Sequence, residues 1–280
     1  MAFMALNELG GKAAAVTGAA SGLGRAMALA FAAEGMHLAL ADVDDAGLTQ
    51  TGKLVAAFGV KSFSMRVDVS KAGDVQQFAA RAAGELNGVQ VVCNNAGVAV
   101  SGPVWETSEA EWQWILGVNL LGVVHGVRAF VPRLIAQGEG HIVNTASVAG
   151  LISPPGMGAY CVSKHAVVTL SEALHHDLRE RGANVGVSVL CPAYVPTGIA
   201  DSKPPFAVAK SKERLAQEAT LKKAVTSGKL SADDVARAVV AAVKENRFYV
   251  LTHPGIKGAV RARMEDVLEE RTPRDPLRLR

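Results

Sequence analysis

Cysteine is scarce in this chain: three in 280 residues, Cys93, Cys161 and Cys191. An odd number, far apart and without a second ligand at metal spacing, excludes a disulfide framework and points to a reducing compartment. Aromatic residues make up only 5%, and neither charge dominates, with 29 basic against 26 acidic side chains. That balance gives no electrostatic footprint for nucleic acid. With 49% hydrophobic residues the chain is too apolar to be disordered. No unbroken apolar run reaches about 18 residues, so a membrane span is not expected. The opening MAFMALNELGGK lacks a charged region followed by a sustained apolar core, so no signal peptide is read there and a cytoplasmic location is expected. Repeats, low-complexity tracts and Pro/Ser-rich linkers are also missing. The expectation is therefore a single domain over 1–280 that ends in a charge-dense surface tail, 253–280.

What the chain does have is alternation. Short apolar or β-branched runs at Ala13–Val16, His37–Ala41, Val60–Val67, Val89–Cys93, Ile142–Asn144 and Val185–Leu190 read as strands. Between them Gly22–Glu34, Ala46–Phe58, Ala72–Asn87, Ala110–Gln137 and Ala159–Arg181 have helical length and period. Several of the short runs are apolar on both faces, as strands covered by helices on both sides must be. The pattern predicts an α/β fold, one doubly wound parallel sheet of Rossmann type. Farther on, Val208–Thr226 and Ala232–Glu245 read as helices, the first charged and amphipathic, and Phe248–Thr252 as a last strand.

After the first strand, Thr17-Gly18-Ala19-Ala20-Ser21-Gly22-Leu23-Gly24 opens directly into a helix. Glycines there let the backbone approach a pyrophosphate, whose charge sits on the free N–H groups of the helix start. The second strand ends in Asp42, a carboxylate suited to the adenosine ribose hydroxyls and repulsive to a 2′-phosphate.

The glycine spacing, TGxxxGxG, resembles that of the short-chain dehydrogenase/reductase family, and the likeness covers about residues 10–200. Asn94-Asn95-Ala96-Gly97 is similar to the family's NNAG element, and Asp68-Val69 to the pair that meets the adenine ring. Cys191-Pro192-Ala193-Tyr194-Val195-Pro196-Thr197 resembles the PGxVxT element that holds the nicotinamide carboxamide, with Ala193 where the family has glycine. A positive φ there would strain an alanine. The resemblance implies an NAD-binding set of Gly18, Ser21, Gly22, Leu23, Gly24, Asp42, Asp68, Val69, Asn95, Ala96, Gly97, Tyr160, Lys164, Pro192, Val195 and Thr197.

The chemistry is carried by NTASVAG and AYCVSK. Tyr160 follows Ser147 by thirteen residues, Lys164 follows Tyr160 by four, and Asn119 lies upstream in VNLLG. Tyr and Lys at i and i+4 share a helix face. A neighbouring cation lowers a phenol's pKa by roughly 1–3 units, toward use as a general base. Ser147 is expected to hold the substrate oxygen. The resemblance further implies that Asn119 fixes a water joining the lysine to solvent, and that Lys164 binds the nicotinamide ribose. It implies too a homo-oligomer, tetramer or dimer, built on the two longest helices, whose apolar residues include Leu120, Leu121, Val124, Val127, Val168 and Leu174.

The resulting expectation is an oxidoreductase moving hydride between NAD and a hydrophobic secondary alcohol or ketone. Its rivals are an NADPH-dependent ketoreductase, for which Arg25 is the one nearby cation, and a non-catalytic NAD(H) sensor. The resemblance implies that Val98–Trp105, Val148–Met157 and a lid over 194–227 bound the substrate, with Trp105, Leu151 and Met157 as its expected wall. No metal site is read at His175-His176-Asp177, and His125 reads as a satisfied buried histidine or an interface residue. Lysines 203, 210, 212, 222 and 223 read as a solvated lid helix rather than a phosphate patch.

Overall fold

The computed structural model describes residues 6–278. The first five residues of the N-terminal stretch and the last two of the tail lie outside that range. Seven strands form one parallel sheet: β1 Ala13–Thr17, β2 His37–Asp42, β3 Ser62–Arg66, β4 Val91–Asn94, β5 Gly140–Thr145, β6 Val185–Leu190 and β7 Tyr249–Val250. Their spatial order is β3-β2-β1-β4-β5-β6-β7. The helices between them are α1 Gly22–Ala33, α2 Asp45–Ala56, α3 Ala72–Glu85, α4 Glu109–Leu116, α5 Gly122–Gln137, α6 Gly158–Glu180, α7 Lys212–Thr226, α8 Ala232–Lys244 and α9 Ile256–Leu268.

Alternation along β1 shows how the sheet is sandwiched. Ala14 and Val16 pack into a core with α1, α2 and α8, while Ala13 and Ala15 face the core under α3, α5 and α6. Both faces of the central strands are buried, which is why they read as continuous apolar runs. β1 is paired on one side with β2 and on the other with β4, so the winding direction reverses there. A crevice opens at such a switch point beyond the carboxyl ends of the strands.

The expected helix Ala110–Gln137 is not continuous. A π turn, Gly117–Leu121, separates α4 from α5. It carries Asn119, which is fully buried and hydrogen-bonded to the chain after β4. Apolar periodicity runs straight through the interruption, so the sequence does not reveal it. By length and composition the run Glu109–Gln137 is long and apolar enough to cross a membrane, although it holds no unbroken apolar stretch of that length. In the fold α5 packs against α3 and the sheet.

Two other elements differ from expectation. The tail contains α9, where few side chains are buried; Arg274 folds back on it, Nε donating to the buried Asp266 carboxylate at 2.8 Å. The helix expected from Val208 begins only at Lys212 and is not amphipathic, since its buried residues are Arg214 and Val225. Polar anchors hold it: Arg214 to Glu111, Ser211 to Glu106 and Lys222 to Asp201.

Candidate active site

A cleft of about 710 Å³ lies at the switch point. Gly18, Ser21, Gly22, Leu23, Gly24, Asp42, Asp68, Val69, Asn95, Ala96, Gly97, Pro192, Val195 and Thr197 line it with Ser147, Tyr160 and Lys164. Asn119 does not line it.

At the first strand end, glycine is required by contact and conformation. Gly18 has φ +68, and a Cβ there would stand 2.8 Å from Ala96 Cα; one on Gly24 would lie 1.9 Å from the Gly18 carbonyl oxygen. Ser21 precedes α1 without capping it through its side chain, so the first N–H groups of the helix carry no side-chain cap. Asp42 receives backbone N–H groups from Ala20 at 3.0 Å and from Val43 at 2.7 Å. These features fit a dinucleotide: a glycine cradle with a helix start for pyrophosphate, and a carboxylate for ribose.

Arg25 is already engaged beside that carboxylate. Its Nε donates to Thr51 Oγ1 at 2.9 Å, and its Nη2 to the carbonyl of Ala20. Burial pulls the Asp68 carboxyl upward, but hydrogen bonds from Ser70 and the nearby Lys71 more than offset it, leaving it below the ordinary range. Asn95 ties three strand ends together: Nδ2 donates to the Thr17 carbonyl at 3.0 Å, and Oδ1 accepts from Thr145 Oγ1 at 3.3 Å.

At the opposite end, Ser147 leaves β5 with its Oγ donating to the Pro192 carbonyl at 3.3 Å. Tyr160 and Lys164 rise from the first turns of α6, with Lys164 Nζ 5.7 Å from the phenol ring centroid. The ammonium donates to the Thr145 carbonyl at 2.9 Å, and burial pulls its pKa down to about 8. Burial also pushes the Tyr160 phenol up to about 12, with contact to Ser147 acting the other way. Desolvation sets that direction, and helix spacing alone does not reveal it.

Asn119 sits behind this group. Its Nδ2 donates to the Val98 carbonyl at 2.9 Å and to Ser163 Oγ at 3.0 Å, and its Oδ1 accepts from Val98 N at 2.8 Å. The side chain thus clamps the cleft wall. Thr145 and Ser163 contribute without being singled out in the sequence: the Thr145 carbonyl holds the lysine and its hydroxyl bonds Asn95, while Ser163 Oγ donates to the Tyr160 carbonyl at 2.8 Å. Ala193 has no positive φ, which removes the strain that an alanine would suffer there, and its N–H donates to His253 Nδ1 at 3.2 Å. His125 Nδ1 is bonded to the Val69 carbonyl at 2.9 Å, but the ring is half-buried rather than buried.

The apolar wall differs from expectation. Trp105 is 81% exposed and stands outside the cleft, and Leu151 and Met157 do not line it. Val98, Trp114, Ile199, Pro205 and Val225 do, together with Lys203. Propensity and order along the chain could not say which side of the Val98–Trp105 loop faces inward.

A parallel sheet that opens a glycine-lined cleft at its switch point, with an acid at the neighbouring strand end, defines a dinucleotide-binding enzyme fold. Comparison with known proteins names the family. The family model "short chain dehydrogenase" matches residues 12–207, and the chain belongs to that family of oxidoreductases. A short-chain dehydrogenase/reductase from Burkholderia phymatum, solved in complex with NAD, is 50% identical. The likeness covers 97% of this chain and 99% of that one, with a TM-score of 0.94. A CLA biosynthesis dehydrogenase/reductase of Lactiplantibacillus plantarum is 31% identical over 92% of this chain and 93% of that protein. A 1-deoxy-11-beta-hydroxypentalenate dehydrogenase of Streptomyces exfoliatus is 35% identical over 91% and 88%.

Proposed function

We propose that this enzyme interconverts a hydrophobic secondary alcohol and its ketone with NAD, using Tyr160 as general base and acid. The observation that carries the reading is one continuous cleft with Asp42 at one end and Ser147, Tyr160 and Lys164 at the other. NAD bound there supplies the hydride acceptor and, when oxidised, a positive charge. Tyr160 takes the hydroxyl proton of the alcohol and returns it in reduction. Its phenol, raised to about 12 by burial, needs cationic surroundings to act near neutrality. Ser147 holds the substrate oxygen through its hydroxyl as that oxygen changes between alcohol and carbonyl. Lys164 holds the ribose hydroxyls and its own charge near the phenol. Asn119 fixes Val98 and the wall beside the lysine, and the segment 194–227 acts as the lid.

Preference for NAD over NADP is supported by two facts. Asp42 opposes a 2′-phosphate, and Arg25, the cation nearest in sequence, is already bonded to Thr51 and to the loop. The NAD complex of the Burkholderia relative agrees with it. A homo-oligomer is proposed as well.

Assay by NADH absorbance across secondary alcohols tests the activity, and parallel NADP titrations test the preference. Asp42→Ala is expected to raise relative use of NADP by about tenfold, the scale of roughly 1.4 kcal/mol of relieved repulsion. Equal or tighter NADP binding by the unaltered enzyme would remove the cofactor claim.

A further inference from the structure

Beside the main cleft lies a second pocket of about 310 Å³, and Trp114, Ser202 and Lys203 border both. Its charged groups are unequal in number. Lys210 pairs with Glu218 at 2.8 Å, Lys222 pairs with Asp201 at 2.6 Å, and Arg214 pairs with Glu111. Lys203 is the fourth cation and has no carboxylate partner among the described residues. Its sequence neighbour Asp201 is taken by Lys222. The surplus is one positive charge at the junction of the two pockets.

The backbone that carries it is held in place. Ser202 Oγ donates to the Ile199 carbonyl at 2.7 Å and accepts the Ala99 N–H at 3.2 Å, which pins Lys203 to the wall clamped by Asn119. Pro204 and Pro205 follow and restrict φ on the other side. Arg214 is 3% exposed and lines the side pocket too, but its charge is already met: both Nη atoms bond Glu111 and its Nε pairs with Glu218 Oε1 at 3.6 Å, which leaves Lys203 as the unpaired cation of the pocket among the described residues. Val98, Trp114 and Pro205 supply apolar surface in the cleft that also holds Tyr160.

We infer that the substrate is a monoanionic carboxylate whose reacting alcohol or ketone is separated from the carboxylate by an apolar body, with Lys203 receiving the carboxylate. This rests on the dehydrogenase reading above and adds the far end of the ligand. One surplus charge matches one carboxylate, whereas a phosphomonoester dianion would keep an uncompensated charge. The test compares matched alicyclic secondary alcohols, one bearing a carboxylate and one its methyl ester, at saturating NAD. The enzyme is expected to favour the carboxylate, Lys203→Met to cut that ratio of kcat/KM by about tenfold, and Lys203→Glu to invert it. Lys212→Met, on the outside of α7, is the control that keeps the ratio. Binding is read separately through tryptophan emission, titrating cyclohexanecarboxylate against the carboxamide. Equal affinity for both, or discrimination unchanged in Lys203→Met, overturns the inference. Charge-selective binding without turnover of either alcohol would instead strike the dehydrogenase reading, leaving Lys203 as an anion site.

Discussion

Tyr160 is the residue on which the proposed chemistry turns, and removing one oxygen isolates its part. Tyr160→Phe keeps the ring against its neighbours but leaves nothing to accept the alcohol proton. Turnover is expected to fall by at least about 10³-fold, with NAD affinity within a few-fold of the unaltered enzyme. Stopped-flow turnover and a separate NAD titration check both halves; near-normal rates would end the assignment. Most of the site was readable because each motif ties a residue type to a backbone position. Gly18 and Gly24 stand where a Cβ would collide with backbone, and Tyr160 and Lys164 share a helix face. What could not be read was the desolvation of Tyr160, which depends on how much solvent the fold removes. The inward side of the substrate wall was hidden for a similar reason. Trp105 and Trp114 are chemically alike in sequence, yet one is 81% exposed and the other lines the cleft.

Individual elements are held by polar anchors that composition does not announce. Glu111 caps α4 with Ser108 and also receives Arg214 from α7, and both charged side chains are buried. Breaking such a pair from one side strands a buried charge, at a cost of about 3–5 kcal/mol. Because α7 buries little else, the loss in Arg214→Met should fall on that helix. Hydrogen exchange across 212–226 is expected to accelerate well before the sheet is affected, and Glu111→Gln combined with Arg214→Met should recover part of the loss. A uniform drop in protection over the whole chain would contradict it. His141 on β5 gives a second element-scale expectation. Its Nε2 is bonded to Ser188 Oγ at 2.8 Å, and burial pulls its pKa down from 6.5 to about 3. The unfolded chain binds this proton below about pH 6.5 and the folded chain does not, so stability falls as pH drops through that window, by up to about 1.4 kcal/mol per unit. Denaturant midpoints measured between about pH 7 and 5 should decline less steeply in His141→Gln than in the unaltered enzyme. Strand and helix identity were legible from period, but the π turn at Asn119 and the helix α9 were not. In the first, apolar spacing continues through the defect. In the second, charge density masks a helix with only Ala262 and Asp266 buried.

At the scale of the whole molecule, the question is what covers the outer face of the two long helices. Of the apolar residues expected to form an interface, Val168 and Leu174 are buried within the chain itself, so they belong to its core. Leu121 remains 46% exposed at the end of the π turn, and Val162 on α6 remains 50% exposed. Leu120 and Val124 are half-buried beside them in sequence. The π turn that carries Asn119 packs against α6, so a contact made on this face would also brace the candidate site. An apolar face of that kind loses water most economically against its own copy, because a two-fold axis brings the same patch to both sides. The proposed assembly is a dimer or tetramer, with a mass of two or four times 29.1 kDa. Light scattering at micromolar concentration should show it, and Leu121→Asp with Val162→Asp should shift the population toward monomer, since two carboxylates would be buried unpaired on each side. If that monomer keeps full activity, the interface does not support the site; if the unaltered enzyme is itself monomeric, the face belongs to something other than a second copy.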